Sequence, residues 1–188
     1  MGIFNRPTLM KAHALMAAFI LPVAIMFFIT GAFYTWGIKG EYDTTVYEIK
    51  LDKPMQKKLS QLVALAETEL TKRDISLPTG QAKIKKIGDA FKLEWTGSNR
   101  DVIIEPGSQP LLAKLQIKDT SWYRQLVQLH KAKGGTPFKV YAAALATALL
   151  LLLLTGFIMA WQTPKLRQLT LLSTGLGIVF FVVMIASS

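Results

Sequence analysis

The chain has 188 residues, 51% of them hydrophobic, a formal net charge of +10, two histidines and no cysteine. Without cysteine there is no disulfide, no thiolate zinc site, no covalently attached c-type haem and no cysteine-ligated iron–sulfur cluster. The apolar residues gather at the two ends instead of spreading through a soluble core, and all twelve acidic residues lie between Glu41 and Asp119.

In chain order, the first element is an uncharged apolar run over residues 14–36, preceded by Arg6 and Lys11. Its length suits a membrane-crossing helix of roughly 20 residues and exceeds the roughly 7–15 of a signal-peptide core; no small-x-small cleavage site follows. It reads as a signal anchor, with Pro22 expected to kink it. Residues 41–131 read as a small α+β domain. In "TTVYEIKL", Tyr47, Ile49 and Leu51 alternate with Val46, Glu48 and Lys50, the period-two mark of a half-buried strand. The next segment puts Leu59, Leu62, Val63, Ala66 and Leu70 on one helical stripe, with Asp52 as N-cap and Pro54 in the first turn. Strands follow at "AKIKKIG", "AFKLEWT", "DVIIEP" and "PLLAKLQIK", with Phe91, Leu93 and Trp95, then Ala113, Leu115 and Ile117, facing inward. A helix packed on a small antiparallel sheet is the economical arrangement. "SWYRQLVQLH" reads as an amphipathic exit helix with Trp122, Leu126 and Leu129 on one stripe, and "KAKGG" as a flexible basic joint. Two more uncharged apolar runs, residues 140–161 and 169–186, close the chain.

The expected organisation is a cytoplasmic N-terminus (1–12), a first span (13–37), the α+β domain with its exit helix (38–131), a linker (132–139), a second span (140–161), a loop (162–168) and a third span (169–188). Basic residues near the span ends nearly balance. The short loop "QTPKLRQ", with two basic residues and no acid, favours an N-terminus inside and the domain outside, because long segments cross largely regardless of charge.

Two segments repeat one pattern. "FFITGAFYTW" carries Thr30-Gly31 and Trp36; "LLLTGFIMAW" carries Thr155-Gly156 and Trp161; His13 and His130 stand upstream of them. The simplest account of the Thr-Gly pairs, and of Thr174-Gly175 with Gly177 in the third span, is helix packing: glycine lets helices approach, and a buried threonine bonds backbone or neighbour. In antiparallel helices the two pairs lie at different depths and do not frame one shared site. Trp36, Trp122 and Trp161 suit the membrane interface as anchors.

A span ending in Thr-Gly, then a helix followed by strands, "DVIIEPGSQPLLAKLQ" as a strand–turn–strand element, and "WYRQLVQLHKAKGG" leading into "LLLLTGFIMAW" together resemble the PepSY-associated transmembrane helix family. The resemblance runs over nearly the whole chain, the third span being less specific. It implies a bacterial inner membrane with a PepSY domain in the periplasm. Larger relatives include reductases that use membrane-embedded haem b on siderophore-bound iron, and other PepSY domains inhibit or regulate peptidases. Carried onto this sequence, His13 and His130 are the candidate haem positions. With a first run roughly 34 Å long, the two imidazoles fall at opposite surfaces, so one haem is not shared within a single chain. A single-histidine haem, with Met16 as a softer ligand, a site completed by another subunit, or an inverted arrangement of the fold remains. Interfacial packing for His13 and capping or hydrogen bonding for His130 are the weightier readings.

No phosphate loop, zinc-protease helix or nucleophile elbow is present, so no catalytic residue and no metal site is assigned. Glu67 and Glu69 do not share a helix face; Glu94, Asp101 and Glu105 fall on neighbouring strands but lack a third group. Lys83, Lys85, Lys86 and Lys92 form either a solvated sheet face or a patch for anionic lipid or an acidic protein; nucleic acid is not an expected partner. The expected fold is thus an α+β membrane protein with three transmembrane helices and a periplasmic PepSY-like domain. The expected function is a non-enzymatic accessory or regulatory subunit held by membrane lipid and by a larger complex or its own copies. The alternatives are a haem-b electron-transfer protein and a membrane-tethered peptidase-inhibitory domain.

Overall fold

In a computed structural model the described residues are 5–88 and 90–188, and they form two compact units. One runs from Ile25 to Ala142; the other joins the chain up to Ala24 with the chain from Ala143 onward. Ten elements follow in order: α1 (Arg6–Thr35), β1 (Tyr42–Lys50), α2 (Leu59–Thr71), β2 (Ala82–Ile87), β3 (Ala90–Thr96), β4 (Arg100–Pro106), β5 (Leu112–Thr120), α3 (Trp122–His130), α4 (Thr136–Trp161) and α5 (Pro164–Ala186).

The unit between Ile25 and Ala142 is built on a five-stranded antiparallel sheet of order β1-β5-β4-β3-β2. Strands β2 to β5 form a meander, and β1 closes on its β5 edge with Tyr42 opposite Thr120 and Lys50 opposite Leu112. The faces expected to turn inward on β1, β3 and β5 do so, with Ile49, Leu93, Trp95, Ala113, Leu115 and Ile117 in one core that Val102 and Ile104 of β4 join. Leu62, Ala66 and Leu70 of α2 complete it. Asp52 does not cap this helix: Lys58 stands at the N-cap, without a side-chain hydrogen bond, and α2 starts at Leu59. Pro54 holds the residue before it out of helical conformation, and Met55 packs against the core from a non-helical segment.

Central strand β4 is buried on both faces, from Asp101 through Ile104. The face opposite α2 meets α3, which lies on it with Val127 and Gln128 buried. The expected stripe of Trp122, Leu126 and Leu129 is therefore not the sheet-facing side of α3, and Trp122 is 77% exposed. Ser121 caps α3, accepting a hydrogen bond from the Arg124 amide.

The three long helices are each apolar enough to cross a membrane, with mean hydropathy 2.3, 2.4 and 2.4 for α1, α4 and α5. Helix α1 continues through Pro22, and α4 begins at Thr136, directly after the expected joint and inside the expected linker of residues 132–139. Threonine hydroxyls along these helices donate to the carbonyl four residues back, as Thr147 does to Ala143, Thr170 to Leu166 and Thr174 to Thr170. That habit satisfies a polar group where lipid offers it no partner.

Candidate functional site

Both Thr-Gly pairs hold a histidine, and in each case it is the histidine of the other segment. In the unit made by the two chain ends, His13 Nδ1 on α1 lies 2.9 Å from Thr155 Oγ1 on α4. In the unit between Ile25 and Ala142, His130 Nδ1 at the end of α3 lies 2.9 Å from Thr30 Oγ1 on α1. Along α1 the distance from His13 to Thr30 is roughly 25 Å of helix, so the two contacts are separate.

Donor bookkeeping sets the direction of each bond. A threonine hydroxyl has one hydrogen. Thr155 Oγ1 donates to Leu151 O at 2.7 Å, and Thr30 Oγ1 donates to Met26 O at 2.6 Å. With each hydroxyl hydrogen on its helix carbonyl, the hydroxyl accepts from the imidazole, which assigns the ring proton to Nδ1. In the neutral ring Nε2 is left with the lone pair. Each histidine is thereby a side-chain clip, an N–H on one element donating into the helix that carries the Thr-Gly pair.

The glycines set how close each ring approaches. A Cβ at Gly31 would stand 3.2 Å from His130 Cε1, while one at Gly156 would stand 3.7 Å from His13 Cε1. Phe27 covers the His130 ring, with centroids 4.9 Å apart. Thr30 itself is only 1% exposed. His130 is thus half-buried, packed against Phe27, Thr30 and the backbone at Gly31. His13, in contrast, lines a groove of about 460 Å³ with Arg6, Met10, Ala14, Gly156, Met159, Ala160, Thr163 and Leu166. Gly175 and Gly177 on α5 meet nothing within 4 Å. Trp36 follows the end of α1 and Trp161 ends α4, both exposed, with the Arg167 guanidinium 5.5 Å from the Trp161 ring.

The position of His130 depends on how α3 is fastened to the sheet. The Tyr42 hydroxyl donates to Asp101 Oδ2 at 2.7 Å and accepts from Gln128 Nε2 at 2.8 Å and Arg124 Nη2 at 3.0 Å. Gln128 Nε2 and Lys133 Nζ also reach Asp101 Oδ2, at 3.1 and 3.3 Å, and the Gly97 amide donates to Asp101 Oδ1. Burial first, then the hydrogen bond to the Asp101 carboxylate, pushes the Tyr42 phenol up to about 12. The carboxylates paired in the sequence reading do not meet: Glu94 is bound by Lys85 and Glu105 by Gln116, leaving Asp101 to this network. On α2, Glu69 is bridged by Lys72 and Arg73. The Lys72 hydrogen bond is the largest cause holding its carboxyl below the usual range.

A haem fits the two histidines unequally. Axial ligation needs a free imidazole nitrogen facing an apolar space, with the other nitrogen hydrogen-bonded. His13 meets this, since Nδ1 is spent on Thr155 and the ring opens on the groove; Met10 and Met159 line that groove, rather than Met16. His130 does not, because its ring is packed against Phe27 and Gly31. Among the described residues no group of three metal-ligating side chains occurs.

A sheet with helices on both faces, joined to three apolar helices, defines a mixed α+β membrane protein. The family described as the PepSY-associated TM region matches residues 4–163, and the chain belongs to it. The match ends just before α5 begins. No curated protein and no solved structure matches the chain.

Proposed function

We propose that this protein is a non-enzymatic accessory or regulatory subunit of a bacterial inner membrane, whose helices pack against a larger membrane complex or further copies of itself. Its sheet domain sits on the periplasmic side, a placement supported by Lys165 and Arg167 in the short connection before and into α5. One observation carries the reading. Among the described residues helix α5 buries none of its own, and its Gly175 and Gly177, beside Thr174, have open space where a neighbouring helix would approach. The test is native mass spectrometry of the protein released from its own membranes in mild detergent. A larger assembly that Gly175→Leu disrupts is expected; a chain that stays monomeric, with or without the substitution, contradicts the proposal.

The groove at His13 supports a second reading, a haem-b electron-transfer protein. Bound there, a b-type haem would supply one-electron transfer, with His13 as ligand held in its tautomer by Thr155 and with Met10 and Met159 beside it. A dithionite-reduced minus oxidised spectrum of protein from haem-replete cells separates the readings. A stoichiometric b-type signal lost in His13→Ala and kept in His130→Ala establishes the second reading. A folded protein without such a signal leaves the first.

A further inference from the structure

A second cavity, of about 270 Å³, lies in the unit between Ile25 and Ala142, where the start of β2 meets the turn from α3 to α4. Three stretches of chain converge on it with lysines: Lys83 and Lys85 from β2, Lys131 and Lys133 from the turn, and Lys139 from the first turn of α4. Among the described residues Glu94 is the one carboxylate in its lining, and it is engaged by Lys85. Lys133 is held by Asp101, and Lys131 rests over the Tyr34 ring with Nζ 5.5 Å from the centroid. Lys83 and Lys139 are exposed and form no ion pair among the described residues.

The walls are fixed. A Cβ at Gly80 would stand 2.2 Å from Thr96 O and 3.0 Å from Lys133 O, so β2, β3 and the turn touch backbone to backbone there. The turn passes through Ala132 at φ 55, a left-handed conformation that a non-glycine residue adopts only when its surroundings hold it.

Height in the membrane selects the ligand. Lys139 immediately precedes the uncharged run over residues 140–161, which places its ammonium where a bilayer's polar headgroups begin. An open-mouthed, cationic cavity at that level complements a phosphate monoanion, and its size is below that of most cofactor pockets, roughly 300–1,000 Å³. We infer that this cavity binds the phosphate headgroup of an anionic phospholipid. The inference needs only that α4 cross the membrane and is independent of both readings above.

Full-length protein, delipidated in an uncharged detergent, is titrated calorimetrically with short-chain phosphatidylglycerol, phosphatidylcholine of the same chain length, and inorganic phosphate. Phosphatidylglycerol is expected to bind well ahead of the other two. Removing two headgroup-level lysines, in Lys83→Gln/Lys139→Gln, is expected to weaken it about 30-fold. Lys83→Arg/Lys139→Arg keeps the binding, and Lys57→Gln/Lys58→Gln, which removes equal charge elsewhere, leaves it unchanged. An equal loss in the Lys57/Lys58 variant would show diffuse attraction to a basic protein and overturn the inference. So would equal binding of phosphatidylcholine. Inorganic phosphate binding as tightly as phosphatidylglycerol would assign the cavity to a free anion and overturn the lipid source.

Discussion

Gly31 and Gly156 occupy equivalent places in the two Thr-Gly pairs, yet alanine at each is expected to change stability in opposite directions. Within a helix, glycine costs about 1 kcal/mol relative to alanine, so either substitution starts with that gain. At Gly156 the added methyl would meet His13 Cε1 at 3.7 Å, an ordinary contact, and the gain survives. At Gly31 it would meet His130 Cε1 at 3.2 Å, and the ring cannot retreat freely, because Thr30 holds Nδ1 and Phe27 covers a face. Overpacking a held side chain costs about 1–3 kcal/mol, which equals or exceeds the helix gain. Thermal unfolding of the full-length protein in detergent, followed by tryptophan fluorescence, should show Gly156→Ala above wild type and Gly31→Ala below it. Combining Gly31→Ala with His130→Ala removes the clashing ring, so Gly31→Ala should become stabilising in that background. If Gly31→Ala raises the midpoint as much as Gly156→Ala does, the ring is not pinned and the reasoning fails.

Thr30→Val should lower the unfolding midpoint by roughly 2–12 °C, because it strands the N–H of a half-buried imidazole at about 1–3 kcal/mol, while Thr30→Ser should restore it. Thr147→Val, which removes only a back-bond to Ala143, is the matched control and should be near neutral. Tyr42 adds an alkaline limb to stability: its folded-state value, about 12, lies above the ordinary phenol value of 10.0. Its contribution is present in full below the ordinary value and is lost as pH rises from there through the folded one. Tyr42→Phe should therefore lower stability at neutral pH and flatten the loss on alkalinisation, as read from denaturation midpoints across that range. Ala132→Gly should raise the midpoint by relieving a left-handed non-glycine residue, a gain of about 1–2 kcal/mol; a fall would show that the turn is not strained.

How much of this was legible in the sequence varies with the physics of each feature. The strand faces were, because side chains alternate with period two and only one face of β1 and β3 is apolar: Tyr47 and Ile49, Leu93 and Trp95 sit against the core as expected. The three apolar helices were legible from length alone. The sheet-facing side of α3 was not, because Asp101 and Ile103 bury the second face of β4 and α3 answers the buried carboxylate with Gln128, while Arg124 donates to the Tyr42 hydroxyl bound to it. An apolar-stripe reading cannot see that trade. The two Thr-Gly pairs and the two histidines were visible as a repeat, but a repeat records likeness and not which copy meets which. The antiparallel run of the helices was read from the sequence, but not its consequence, that each histidine meets the threonine of the other segment. Asp52 had the chemistry of an N-cap, but Pro54 and the half-buried Met55, packed against the core from a non-helical segment, go with a helix start at Leu59.

The crossed pairing is the centre of this account, and a set of double-mutant cycles tests it most directly. His130→Ala with Thr30→Val, and His13→Ala with Thr155→Val, should each show a coupling of about 0.5–3 kcal/mol in unfolding free energy, while His13→Ala with Thr30→Val should be additive. Additivity in both crossed pairs, together with coupling between His13→Ala and His130→Ala, would contradict it and point to one site shared by the two histidines.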